Sequence, residues 1–155
     1  QQFVALPGKS EHQTGLAIDL GLKKESIDFI RPDFPYIGIC QQFREKSVPY
    51  GFIERYPREK EHITGIAHEP WHFRYVGTPH AEIMREHHFC LEEYIDFLKR
   101  FSQDQPYTFY KDSQEIQIFY LKADTESVSL EVAEDGSLSV SGNNVDGYII
   151  TEWRG

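Results

Sequence analysis

The sequence predicts an α+β protein, and three observations lead there. Four short β-type runs lie within residues 3–76, two helical patterns lie between residues 78 and 100, and five further β-type runs follow Phe101. At 155 residues a single compact body with a small appendage is the expectation, divided here into a core of residues 1–102 and a β-rich extension of residues 103–155.

Taken in order, Phe3-Val4-Ala5-Leu6 reads as a strand end stopped by Pro7-Gly8. A polar loop containing His12 follows, and Leu16-Ala17-Ile18-Asp19-Leu20 reads as a buried strand. Alternation sets Leu16, Ile18 and Leu20 on one face and Ala17 and Asp19 on the other. Gly15 fits a position that needs an unusual backbone angle. Residues 21–35 look irregular, with Pro32 and Pro35, and Ile37, Ile39, Cys40 and Phe43 suit a short amphipathic helix. A strand-like run opens at Tyr50-Gly51-Phe52-Ile53 and stops at Pro57, and Arg58-Glu59-Lys60-Glu61 reads as a solvated loop. Trp71-His72-Phe73-Arg74-Tyr75-Val76 alternates like a strand.

Thr78 before Pro79 predicts a helix start, with the hydroxyl as N-cap and proline at the first helical position. His80 to His87 fills that helix, and Leu91, Tyr94, Ile95 and Leu98 mark a second, with Lys99 and Arg100 suited to its last turn. In the tail, β-type runs are centred on Tyr107-Thr108-Phe109-Tyr110, Ile116 to Leu121, Val128 to Val132, Ser137 to Val140 and Tyr148 to Thr151. Glu134-Asp135-Gly136 and Gly142-Asn143-Asn144 separate the last of them.

A net charge of −9 argues against a nucleic-acid partner, because phosphates repel an acidic surface. No run of eighteen apolar residues exists to span a membrane, and no signal peptide opens the chain, which also lacks an initiator Met. Cys40 and Cys90, fifty positions apart among apolar neighbours, read as buried free thiols. They point to a reducing compartment and so to the cytoplasm. The cell surface is the alternative should an anchoring segment precede Gln1.

The chemistry gathers in two short patterns. Ser10-Glu11-His12-Gln13-Thr14-Gly15-Leu16-Ala17-Ile18-Asp19 is followed some fifty residues later by Glu69-Pro70-Trp71-His72. His12, Asp19 and His72 together offer two imidazole nitrogens and a carboxylate, the three-ligand set of a catalytic zinc with an open fourth position. Glu69, three residues before His72, can take a proton from water there. Singly, a histidine and an aspartate in a polar segment are surface and turn residues; the combination carries the signal.

His68-Glu69-Pro70-Trp71-His72 also spells His-Glu-x-x-His, the helical zinc signature of another peptidase class. Pro70 opposes a helix there, so the match reads as coincidence. The strand reading has its own requirement. Glu69 and His72 are an odd number of residues apart, and an ideal strand would point them to opposite faces, so Pro70 must introduce a bend. His80, His87 and His88, and separately His62, read as surface residues.

The joint pattern Ser-x-His-x-x-Gly-x-Ala-x-Asp with Glu-x-Trp-His resembles the zinc D-alanyl-D-alanine peptidases of the VanY, VanX and VanXY type. The likeness extends over residues 3–101, through Val4-Ala5-Leu6-Pro7-Gly8, Tyr50-Gly51-Phe52-Ile53, Arg55-Tyr56-Pro57 and Phe73-Arg74-Tyr75-Val76-Gly77. It implies a small antiparallel sheet carrying one Zn²⁺ ion and flanked by helices, as in the D-Ala-D-Ala peptidase and hedgehog-like fold. It makes His12, Asp19 and His72 the zinc ligands, Glu69 the general base, Ser10 a substrate-binding hydroxyl and Trp71 a residue that shapes the site. The implied substrate is a peptidoglycan precursor ending in D-Ala-D-Ala, cut by a D,D-carboxypeptidase linked to glycopeptide (vancomycin) resistance, with the free dipeptide as a further substrate.

The family carries an arginine upstream of the His motif to stabilise charge on the scissile carbonyl. This chain begins too close to His12 to contain it, so the core is expected to lack its N-terminal part, and Arg44, Arg55 and Arg74 are the cations at hand. Two other readings stand beside the enzyme: a module that keeps the zinc without the chemistry, and a wall-binding tail. The second would use Tyr107, Phe109, Tyr110, Phe119, Tyr120, Tyr148 and Trp153 as a carbohydrate platform.

Overall fold

The strand after Glu69 is the centre of the first sheet in a computed structural model that describes residues 10–123, 130 and 136–154. Strands β1 (Ala17–Asp19), β2 (Phe52–Tyr56) and β3 (Glu69–Tyr75) form an antiparallel sheet in the order β1-β3-β2. With it go helices α1 (Gly38–Ser47), α2 (Glu61–Thr64) and α3 (His80–His87), and α4 (Leu91–Leu98) follows in the chain. The chain divides into two compact units, Gln1–Glu92 and Glu93–Gly155. The strand end expected at Phe3-Val4-Ala5-Leu6 and the run from Val128 to Val132 lie outside the described residues, apart from Leu130, which is in no strand.

In β3 the alternation sorts side chains to two faces. Trp71 and Phe73 enter an apolar cluster with Phe34 and Cys40, against which Leu20, Leu22, Phe43 and Phe52 pack. Burying each aromatic removes enough apolar surface to stabilise the unit by about 1.5–3 kcal/mol. His72 and Arg74 point the other way, where β1 presents Asp19 opposite His72 and Ala17 opposite Arg74. The expected facing of β1 is therefore found, but the strand is not buried. It is three residues at a sheet edge, and Leu16 and Ile18 remain 38 % and 39 % exposed while Ala17 is the covered residue.

Between β2 and β3 the register shifts. Glu54 pairs with Phe73, yet Tyr56 pairs with Glu69, so β3 spends four steps against two on its partner. The extra residues lie around Pro70, which has no N–H for the ladder. That bulge is the bend the strand reading required.

Other local expectations change in detail. Ile37 and Ile39 are 72 % and 73 % exposed, so α1 packs through Cys40 and Phe43 alone among the four apolar positions expected to define it. The Arg58–Lys60 stretch is a turn of 3₁₀ helix that leads into α2, not a loop. Helix α3 is capped by Pro79 without a side-chain bond, and Thr78 stands outside it. Gly51 sits at φ +87°, 2.8 Å from its ideal Cβ position to the Gly77 Cα, so two backbones approach where only hydrogen fits. Lys99 and Arg100 lie just beyond α4.

The second unit carries the sheet β4 (Tyr107–Lys111), β5 (Gln114–Lys122), β6 (Ser137–Gly142) and β7 (Gly147–Arg154), antiparallel in the order β4-β5-β7-β6. Asp112 and Ser113, both at positive φ, make the two-residue turn between β4 and β5. Asn143 Oδ1 accepts from the N–H groups of Val145, Asp146 and Gly147 and closes the β6–β7 hairpin. Register splits the aromatics between the faces, with Tyr107, Phe109, Tyr120 and Trp153 on one and Tyr110, Phe119 and Tyr148 on the other. Tyr107 packs edge-on against Phe97 and Phe101. Tyr110 and Tyr148 are exposed on a shared face, but six residue steps separate them along the strands, about 20 Å.

Candidate metal centre

His12 reaches the sheet from a single turn of 3₁₀ helix, Glu11–Thr14. Ser10 caps that turn, its Oγ accepting from the His12 N–H at 3.3 Å. Gly15 ends it at φ +73°, a conformation that suits glycine, and the chain turns directly into β1. Asp19 is thereby delivered beside His12, with Asp19 Oδ1 3.4 Å from His12 Nε2. Across the ladder the same Oδ1 is 2.9 Å from His72 Nδ1. One ligand atom from each of His12, Asp19 and His72 lies within 4.8 Å of the others.

The bulge brings Glu69 to the same face, its Oε2 3.8 Å from His72 Nδ1. Glu69 and His72 are nearly buried, while the side chains of His12 and Asp19 are 43 % and 31 % exposed. The cluster thus has a closed side and an open one. The His12 ring meets the His72 ring edge-on at 4.9 Å, and Tyr56 lies tilted over His72 at 5.1 Å. Trp71 is turned away into the apolar cluster.

Three carboxylates around one imidazole set the protonation. Burial alone would lower His72, but its contacts with Asp19 and Glu11 raise it to about 9. Burial raises the Glu69 carboxyl to about 7, with His72 opposing and Asp19 and Glu11 adding to it. Burial would also raise Glu11, yet His72, Arg55 and Arg74 outweigh it and hold it at about 2. A cation in the midst of these groups meets the demand that the imidazolium proton otherwise meets. Two imidazoles and a carboxylate converging on one point, open on one side, fit a divalent ion of the zinc kind.

The sequence patterns did not single out Glu11 or Tyr56 as neighbours of the cluster, and left Arg55 without a place. Arg55 is 7 % exposed within β2, and a buried guanidinium demands carboxylates close by; they are Glu11 and Glu92. Arg74 faces Glu11 at 3.3 Å and donates to the Tyr75 carbonyl. Arg44 donates to Glu54 and to the carbonyls of Phe34, Pro35 and Pro70. Each of the three arginines is thus committed to acceptors within the unit.

His68 stands apart from the cluster. It stacks on Tyr36, whose hydroxyl bonds both its Nε2 and Glu54. With Glu69 to Tyr75 a strand, the His-Glu-x-x-His string is not a helical zinc motif. His62, His87 and His88 are exposed as expected, whereas His80 is half-buried and burial pushes its imidazole down to about 4. Cys40 and Cys90 are buried free thiols. Among the described residues no helix is long and apolar enough to cross a membrane.

Over 99 residues the chain is 56 % identical to the bifunctional D-Ala-D-Ala dipeptidase and D-Ala-D-Ala carboxypeptidase VanXYC of Enterococcus gallinarum, covering 63 % of this chain and 52 % of that one. Over 152 residues it is 40 % identical to a D-alanyl-D-alanine carboxypeptidase of Enterococcus faecium, covering 97 % of this chain and 46 % of the other. The chain therefore spans about half the length of these curated relatives. The crystal structure of the vancomycin resistance D,D-dipeptidase VanXYg, in complex with a D-Ala-D-Ala phosphinate analogue, is 55 % identical and matches at a TM-score of 0.95 over 99 % of this chain and 61 % of that one. Residues 1–78, which include both halves of the His/Asp/His cluster, match the VanY family model, described as D-alanyl-D-alanine carboxypeptidase, and the chain belongs to that family.

Proposed function

We propose that the chain carries the catalytic centre of a zinc-dependent D,D-carboxypeptidase, which releases the terminal D-Ala from peptidoglycan precursors ending in D-Ala-D-Ala. The free dipeptide is a second substrate, as the name of the E. gallinarum relative suggests, and the activity links the protein to glycopeptide resistance. We assign catalysis to the core expected over residues 1–102, of which the compact unit Gln1–Glu92 holds the whole cluster, with 103–155 as its β-rich extension. One observation carries the reading: a His/Asp/His cluster within 4.8 Å with a buried glutamate 3.8 Å from one of its imidazoles.

His12, Asp19 and His72 would hold the ion, one zinc per chain. When bound, zinc supplies Lewis acidity, acidifying water and polarising a carbonyl oxygen. Glu69 does the proton work. Its carboxyl, nearly buried beside the donors, accepts a proton from water and returns one to the leaving amine. Asp19 and His72 face each other from adjacent strands, so the donors are set by the ladder and do not have to be collected on binding. Ser10 fixes the turn that carries His12 and offers its hydroxyl to substrate, and Trp71 anchors β3 from the opposite face. Retention of Glu69 beside the donors favours an enzyme over a zinc-keeping binding module, since a purely structural site has no use for a base.

The test is D-Ala release by the zinc-loaded chain from a pentapeptide ending in D-Ala-D-Ala and from the free dipeptide, with chelator and zinc re-addition as controls. Zinc-dependent release is expected. Stoichiometric zinc with no release from either substrate would leave the non-catalytic module as the better reading.

A further inference from the structure

Beside the three donors and Glu69 stands a chain of charges, built on the buried Arg55 and Arg74, that the mechanism does not use. Glu11, the first residue of the turn that carries His12, splits its carboxylate between two tasks. Its Oε1 accepts from Arg55 Nε at 2.8 Å and faces Arg74 at 3.3 Å. Its Oε2 lies 3.4 Å from His72 Nε2, at the long end of hydrogen-bonding distance. Arg55 is in turn gripped by both oxygens of Glu92, at 2.9 and 2.6 Å.

Both ring nitrogens of His72 face carboxylates, Nδ1 that of Asp19 at 2.9 Å and Nε2 that of Glu11 at 3.4 Å. A neutral imidazole has one lone pair to give and one N–H to donate. An ion held between Asp19 and His72 would take the lone pair of Nδ1 and leave the N–H on Nε2, where the Glu11 carboxylate accepts it. We propose that Glu11 is a positioning residue: its Oε2 holds the proton on Nε2 of His72, so that Nδ1 is presented to the ion. The proposal rests on the metal-site reading above and adds to it the residue that selects the nitrogen. It also explains why a carboxylate is tied to two arginines: they balance its charge and take one oxygen, leaving the other to aim at the ring.

A merely structural Glu11, serving only as counter-ion to Arg55, would act on stability alone. Zinc affinity separates the two roles, measured on the full chain by competition with a chromophoric chelator. Glu11→Gln is expected to weaken zinc binding about 10–100-fold. Glu92→Gln, which weakens the outer contact of Arg55 and leaves the Arg55–Glu11 and Glu11–His72 contacts in place, is expected to lower the melting temperature and leave zinc affinity near the wild-type value. Unchanged affinity in Glu11→Gln, or equal losses in both variants, overturns the proposal while leaving the zinc site standing. Nitrogen-15 NMR of zinc-loaded wild type gives a readout that needs no variant to fold. A protonated Nε2 and metal-bound Nδ1 on His72 support the proposal, and the reverse assignment overturns it. A wild-type chain that binds no zinc overturns the site reading itself.

Discussion

Asp19 and His72 stand opposite each other in the β1–β3 ladder, with Asp19 Oδ1 2.9 Å from His72 Nδ1. Residues 53 positions apart are thus made neighbours by backbone pairing, which brings the two segments together. Replacing Asp19 by Ala leaves that pairing intact and removes one donor. Zinc content measured by atomic absorption is expected to fall well below one ion per chain, with the fold unchanged by circular dichroism. Full zinc occupancy in Asp19→Ala would place the ion elsewhere.

Glu69→Ala separates binding from chemistry. The glutamate flanks the donors without belonging to the cluster, so the variant is expected to keep its zinc and lose about 10²–10⁴-fold or more in turnover. Loss of zinc together with activity would make Glu69 a ligand and refute its role as base.

Arg44 ties the Pro70 carbonyl, and with it the bulge that presents Glu69, to Glu54 and to the carbonyls of Phe34 and Pro35. Its guanidinium also lies over the Tyr36 ring at 3.9 Å. Arg44→Met strands Glu54 in a largely buried place and is expected to cost about 3–5 kcal/mol in urea unfolding. Arg44→Lys should recover little of it, because an ammonium cannot reproduce the fork that reaches four acceptors. Near-complete rescue by lysine would show that charge alone matters.

His80 makes stability depend on pH. In the folded chain its pKa is about 4, against about 6.5 when unfolded, so the unfolded state binds more protons between those values. The stability from keeping His80 neutral is complete above pH 6.5 and is lost as pH falls towards 4. Urea midpoints at pH 7 and pH 5 are expected to differ less in His80→Gln than in wild type. Equal differences in the two proteins would rule out His80 as the source.

Much of the first unit was legible because its signals were local and redundant. The alternation of Trp71-His72-Phe73-Arg74 foretold which side chains go to the core and which to the opposite face, and Gly15 marked the tight turn between His12 and Asp19. The odd spacing of Glu69 and His72 showed that a bend had to exist, though not that it would be a two-residue bulge in register. What stayed hidden depends on distant partners. Nothing in Leu16-Ala17-Ile18 tells an edge strand from a central one, so its apolar face was expected inside and is half outside. Exposure of Ile37 and Ile39 is likewise set by what α1 packs against, and helical spacing alone does not carry that. The ion-pair chain Glu11–Arg55–Glu92 joins residues up to 81 positions apart, and no periodicity encodes it.

The central claim is that two remote segments converge on one ion. Anomalous diffraction at the zinc edge from crystals of the zinc-loaded chain tests it directly. The account predicts a single strong peak about 2.0–2.2 Å from His12 Nε2, Asp19 Oδ1 and His72 Nδ1, with Glu69 near but not bonded. A peak at His68, or none within bonding reach of residues 12, 19 and 72, would contradict it.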